Sequence, residues 1–158
     1  FLFESLEELT ESLDAAAKAI FHSRTPESLG HSIGFYSSTL DDLAHGSWFS
    51  NHFSSLNTFA ANSVGGFHPA DRQRVEKIMA TLETNLAGKT KEGASYTLPF
   101  KPDDERVNGI LAWVDQIKEN LAFADFVKKK TAEGGGRSGV TSKEYISWQM
   151  VLARIAPL

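Results

Sequence analysis

Apolar residues recur at helical spacing along almost the whole chain, from Phe3 to Ile155. Leu6, Leu9, Leu13, Ala16, Ala17 and Ile20 fall on one face of a first helix. Ser5-Leu6-Glu7-Glu8 ahead of that stripe has the Ser-x-x-Glu spacing of a capping box, which satisfies free backbone N–H groups. A second helix starts at Thr25-Pro26, with threonine placed to cap and proline in the first turn, where its missing donor costs nothing. Leu29, Ile33, Tyr36, Leu40 and Leu43 form its predicted core stripe. Gly46 interrupts the run, and Ser47 is placed to cap a third helix carrying Phe49, Phe53, Leu56, Phe59 and Ala60 up to Gly65-Gly66. His68-Pro69-Ala70-Asp71 opens a fourth, which buries Val75, Ile78, Met79, Leu82 and Leu86 and stops at Gly88.

Residues 88–102 form the one long irregular stretch, and Tyr96-Thr97-Leu98-Pro99-Phe100 reads as extended, because proline disfavours helix in the residue before it. The expectation is a loop lying across the bundle. Pro102-Asp103-Asp104-Glu105 places three acids in the first turn of a fifth helix, where they meet the positive end of the helix dipole. Val107, Ile110, Leu111, Val114, Ile117 and Leu121 are its core stripe, prolonged or rotated by Phe123, Phe126 and Val127, with Lys128-Lys129-Lys130 at its end. The glycine-rich run at 134–139 is a flexible connection that lacks the Gly-Lys-[Ser/Thr] ending of a phosphate loop. Thr141-Ser142-Lys143-Glu144 is a second capping box before Tyr145, Trp148, Leu152 and Ile155. The pattern predicts an all-α fold: one domain over residues 1–158, a bundle of about six mostly antiparallel helices with the 88–102 loop.

A chain of 158 residues buries roughly 70% of the surface its unfolded form exposes, enough for a core without a staple. The absence of cysteine excludes disulfides, thiolate chemistry and cysteine-based metal sites. No apolar run approaches the ~20 residues of a membrane span. The chain begins at Phe1 and not at Met, so removal of a targeting segment, and with it the compartment, stays open. A net charge of −4 argues against nucleic acid as a partner. Residues 1–66 nevertheless hold eight acids against Lys18 and Arg24, whereas residues 67–158 hold twelve acids against fourteen bases. That asymmetry fits an acidic face for a basic partner.

Gly30-His31-Ser32-Ile33-Gly34 resembles the nucleophile elbow of lipases and other α/β-hydrolases. The resemblance, which covers these five residues, implies Ser32 as nucleophile; a triad built around it would take His68 as base and Asp71, one turn from His68, as orienter. That family holds its serine on a turn between a buried strand and a helix, whereas the residues before Gly30 read as a helix start. Asp41 and His45 stand at i and i+4, the spacing of paired metal ligands, but two ligands fall short of a zinc site and no metal is assigned. Gly139-Val140-Thr141-Ser142-Lys143 resembles a helix start in the peridinin–chlorophyll proteins, which are all-α pigment carriers. His68-Pro69-Ala70-Asp71-Arg72 resembles the helix start common in PAS sensor domains, whose flanking strands conflict with the helical period over 107–121.

Phe35, Tyr36, Trp48, Phe49, Phe53 and Phe59 crowd the second and third helices. Such a set fills a core, walls a ligand pocket or meets a partner. Trp113 lies beside the fifth helix's stripe and not on it. The sequence therefore points first to a non-enzymatic helical binding module, a subunit or adaptor for a protein partner. The second reading is a carrier of a lipid or pigment in a pocket lined by Phe49, Phe53, Phe59 and Trp113, and the third is the Ser32 hydrolase.

Overall fold

Thr25 precedes Pro26 in extended geometry, and its side chain accepts a hydrogen bond from the Ser28 amide at 3.1 Å. This cap fixes the start of one of five helices in a computed structural model that describes residues 3–61 and 69–133, with the side chains at 47–50, 59–61, 69 and 131–133 outside that description. The helices are α1 (Glu4–His22), α2 (Pro26–Leu43), α3 (Gly46–Ala61), α4 (Pro69–Leu86) and α5 (Glu105–Glu133). The described part is all-α. It contains no strand, only one isolated antiparallel bridge between Lys89 and Ser95. No described helix is long and apolar enough to cross a membrane. The helix expected over 141–155 lies outside the described residues.

One core runs through the five helices. It joins Leu6, Leu13 and Ala17 of α1 and Tyr36 and Leu40 of α2 to Phe53 and Leu56 of α3, Ile78 and Leu82 of α4, and Ile110 and Ile117 of α5. Cross-helix ion pairs and hydrogen bonds report direction. Glu7 meets Arg74 and Asp14 meets Asn85, so α1 and α4 run parallel. Arg72 meets Asp125 and Glu83 meets Lys118, so α4 and α5 run antiparallel. Two helices separate α1 from α4 in the chain, and no short connection forces that pair to reverse.

The end of α4 shows how glycine positions the loop. Gly88 sits at φ +88°, its amide bonds to Asn85 O at 3.0 Å, and the Lys89 amide reaches Thr84 O at 3.1 Å. These are the two bonds of a Schellman cap, with Gly88 in the left-handed position. An added Cβ at Gly88 would also lie 3.2 Å from Tyr96 O. The loop then folds back on itself, the Tyr96 amide bonding Gly88 O at 2.9 Å.

Four local expectations are corrected. The first helix begins at Glu4 with Phe3 at its cap and no side-chain cap bond, so Ser5 lies inside it and forms no capping box. On α2, Tyr36, Leu40 and Leu43 of the expected stripe are buried together with Ser32 and Thr39, whose hydroxyls bond the helix's own carbonyls, while Leu29 and Ile33 are exposed. The fifth helix begins at Glu105, after Pro102 and Asp103. Asp104 caps it, Oδ1 accepting from the Arg106 amide at 2.9 Å. Finally, Phe126 is exposed and does not prolong the core stripe.

Candidate functional site

Two polar groups of residues are sealed inside this apolar frame. The first ties three helices to the loop. Asp14 is 1% exposed, and its Oδ1 accepts from Asn85 Nδ2 and from the Lys91 amide, both at 2.9 Å, while Oδ2 pairs with Lys18. Burial alone would raise the carboxyl pKa, but the hydrogen bonds from Asn85, Lys18 and Lys91 outweigh it and hold the group below the usual aspartate range. Tyr96 donates to Asn85 O, and its hydroxyl lies 3.1 Å from that of Tyr36. Tyr36 also stacks on Phe100 at 6.3 Å between centroids. The 88–102 loop is therefore bound to α1, α2 and α4.

Burial pushes the Tyr36 hydroxyl far above the ordinary tyrosine range and Tyr96 up to about 12. A raised folded pKa contributes stability that is fully present below the unfolded value near 10 and is lost as pH rises through the folded value. In a Tyr145→Phe background the expected ultraviolet titration therefore shows little phenolate at a pH of about 11 in the folded chain. Denaturant at the same pH should release both protons; equal titration with and without denaturant would contradict the burial of this pair.

The second polar group lies along α5. Trp113, Gln116 and Asn120 stand at i, i+3 and i+7, so they share one helix face, and all three are buried. Asn120 Nδ2 bonds Asn57 of α3, and Gln116 Nε2 donates to Asn120 Oδ1 at 3.2 Å, so this face is the one turned to α3. Lys118, Leu121, Ala122 and Asp125 line the opposite side, where a groove of about 320 Å³ separates α5 from α4. Trp113 Nε1 and Gln116 Oε1 are sealed from solvent without a hydrogen-bond partner, as is Asn85 Oδ1. Such orphaned groups cost about 1–3 kcal/mol each.

Of the residues expected to line a ligand pocket, Phe53 and Trp113 are buried in the common core, Trp113 at 2% exposure. Phe53 stands one turn before Asn57 on α3. The side chains of Phe49 and Phe59 lie outside the described residues. Gln116 and Asn120 escaped the sequence reading because amides are usually exposed; their spacing from Trp113 was the available signal. Asp14 and Asn85 gave no comparable signal.

Ser32 lies inside regular helix. Its hydroxyl donates to Ser28 O at 2.9 Å and lies 3.1 Å from Ser23 Oγ. No strand precedes it, so the strand-turn-helix setting of a nucleophile elbow is not present at this position. His68 lies outside the described residues. Asp41 is taken by Arg106 at 2.6 Å, and among the described residues no three histidine or acidic side chains come together as a metal site.

The exposed large apolar side chains include three on α2: Leu29 at 38%, Ile33 at 36% and Phe35 at 45%. Leu29 and Ile33 are neighbours at i and i+4. Helix α2 carries Glu27, Asp41 and Asp42 and no lysine or arginine. No family model, curated protein or solved structure matches the chain.

Proposed function

We propose that the chain is a non-enzymatic helical binding module, a subunit or adaptor that meets a protein partner through α2. The observation that carries this reading is the exposed Leu29–Ile33 pair, one turn apart on α2 at the end of the stripe that continues into buried Tyr36 and Leu40. Exposed apolar side chains held on a rigid acidic helix suit a partner with an apolar surface rimmed by lysine and arginine. The capping box and stripe at 141–155 support a sixth helix in the same single domain.

The double substitution Leu29→Glu with Ile33→Glu tests this. Both positions are at the surface, so stability should change by no more than about 0.5 kcal/mol, while affinity for the partner should fall at least about tenfold through loss of apolar contact and added charge. Unchanged affinity in the folded double variant would remove α2 as the docking element.

A specific observation also supports the carrier reading. An apolar interior holding an unpaired donor and an unpaired acceptor one turn apart matches the usual make-up of ligand sites, mostly apolar with a few placed polar groups.

A further inference from the structure

We infer that the α3–α5 interface holds the hydroxyl group of an otherwise apolar, uncharged ligand between Trp113 Nε1 and Gln116 Oε1. The inference rests on the carrier reading and names the chemistry of its ligand. The two groups are complementary. The indole N–H can only donate, and Gln116 Oε1 can only accept, since Gln116 Nε2 is committed to Asn120 Oδ1 at 3.2 Å. They stand one turn apart on the face of α5 that meets α3.

A group that satisfies both must accept one hydrogen bond and donate another. A hydroxyl does so. An ionised carboxylate would place negative charge against Gln116 Oε1, and an ammonium would face the indole N–H; the polar neighbours on this face, Asn120 and Asn57, are neutral amides that compensate neither charge. The rest of the ligand meets hydrocarbon, because Phe53, Leu56, Ile117 and Val114 belong to the same core. Entry is by displacement of α3. Among the described elements that helix packs chiefly on α5, and it begins at Gly46 with φ +36°.

Three probes of equal size separate the requirements on the full chain: 1-octanol, its isomer heptyl methyl ether, which accepts but cannot donate, and nonane, which does neither. Titrations followed by the Trp113 indole N–H resonance should rank them in that order, with about tenfold lost for each missing hydrogen bond. Trp113→Phe should abolish the advantage of the ether over nonane, and Gln116→Met that of the alcohol over the ether. Equal binding of all three probes would overturn the hydroxyl site while leaving a hydrophobic carrier standing. Binding of none, with both polar groups met by a buried water, would overturn both. Should either variant fail to fold, the ranking on the unaltered chain decides.

Discussion

Replacing Asp14 with alanine is expected to lower the unfolding free energy by about 3 kcal/mol, a large share of the ~5–15 kcal/mol of a typical domain. The estimate follows from what the carboxylate holds. It accepts from Asn85 Nδ2 and the Lys91 amide, and removing it strands the Lys91 N–H and takes away the buried one of the ties between α1 and the loop, leaving the surface pairs Glu11–Lys91 and Lys18–Glu92. Hydrogen bonds to a charged group contribute about 1.5–3 kcal/mol each, part of which is offset by no longer burying the charge. Asn85 retains Lys89 O, and Lys18 retains Glu92, so the loss stays within that bound. Denaturant unfolding measures the total, and faster hydrogen exchange at the Lys91 amide locates it.

The same substitution carries a pH signature. The folded pKa of Asp14 is depressed, so its contribution is present above the unfolded value near 3.9 and is lost as pH falls through the folded value. The stability gap between the parent chain and Asp14→Ala should therefore narrow below a pH of about 4. Glu7, Asp104 and Asp125, held low first by hydrogen bonds from Arg74, Arg106 and Arg72, add acid sensitivity common to both proteins. A gap that stays constant down to a pH of about 2 would contradict the charged state assigned to Asp14.

Trp113→Ala is expected to cost about 4 kcal/mol, whereas Trp113→Phe costs at most about 1 kcal/mol. Alanine leaves the cavity of a fully buried indole, in the range of ~3–5 kcal/mol for large aromatic truncations. Phenylalanine keeps most of the hydrocarbon and removes the donor that has no protein partner, so relief of an unsatisfied N–H offsets the smaller void. Thermal or urea melts of the two variants, measured without added ligand, check the contrast. Near-equal losses would mean that the indole N–H contributes to folding as much as the ring does.

Helical periodicity made the fold class legible, and the stripes of α1 and α4 fell largely where spacing put them, with Thr10, Asp14, Thr81 and Asn85 buried beside them. On α2 the rule placed Tyr36, Leu40 and Leu43 correctly but not Leu29 and Ile33, which are exposed, and it missed Ser32 and Thr39, which bury because their hydroxyls bond a carbonyl four residues back. Capping motifs were legible where the geometry was local, as at Thr25, and misleading at Ser5, where the helix begins earlier. The buried polar groups were hidden for a different reason. Asp14 and Asn85 lie 71 residues apart, and their pairing depends on α1 and α4 running side by side.

The central claim, that this chain binds a protein through α2, is tested most directly by isolating it from its native source under mild conditions. The isolated material is resolved for protein partners, and its organic extract is analysed by mass spectrometry. Docking through α2 should yield a stoichiometric protein partner that crosslinks within reach of Leu29 and Ile33 and is lost in the Leu29→Glu, Ile33→Glu variant. A stoichiometric organic ligand on a chain with no protein partner would contradict it.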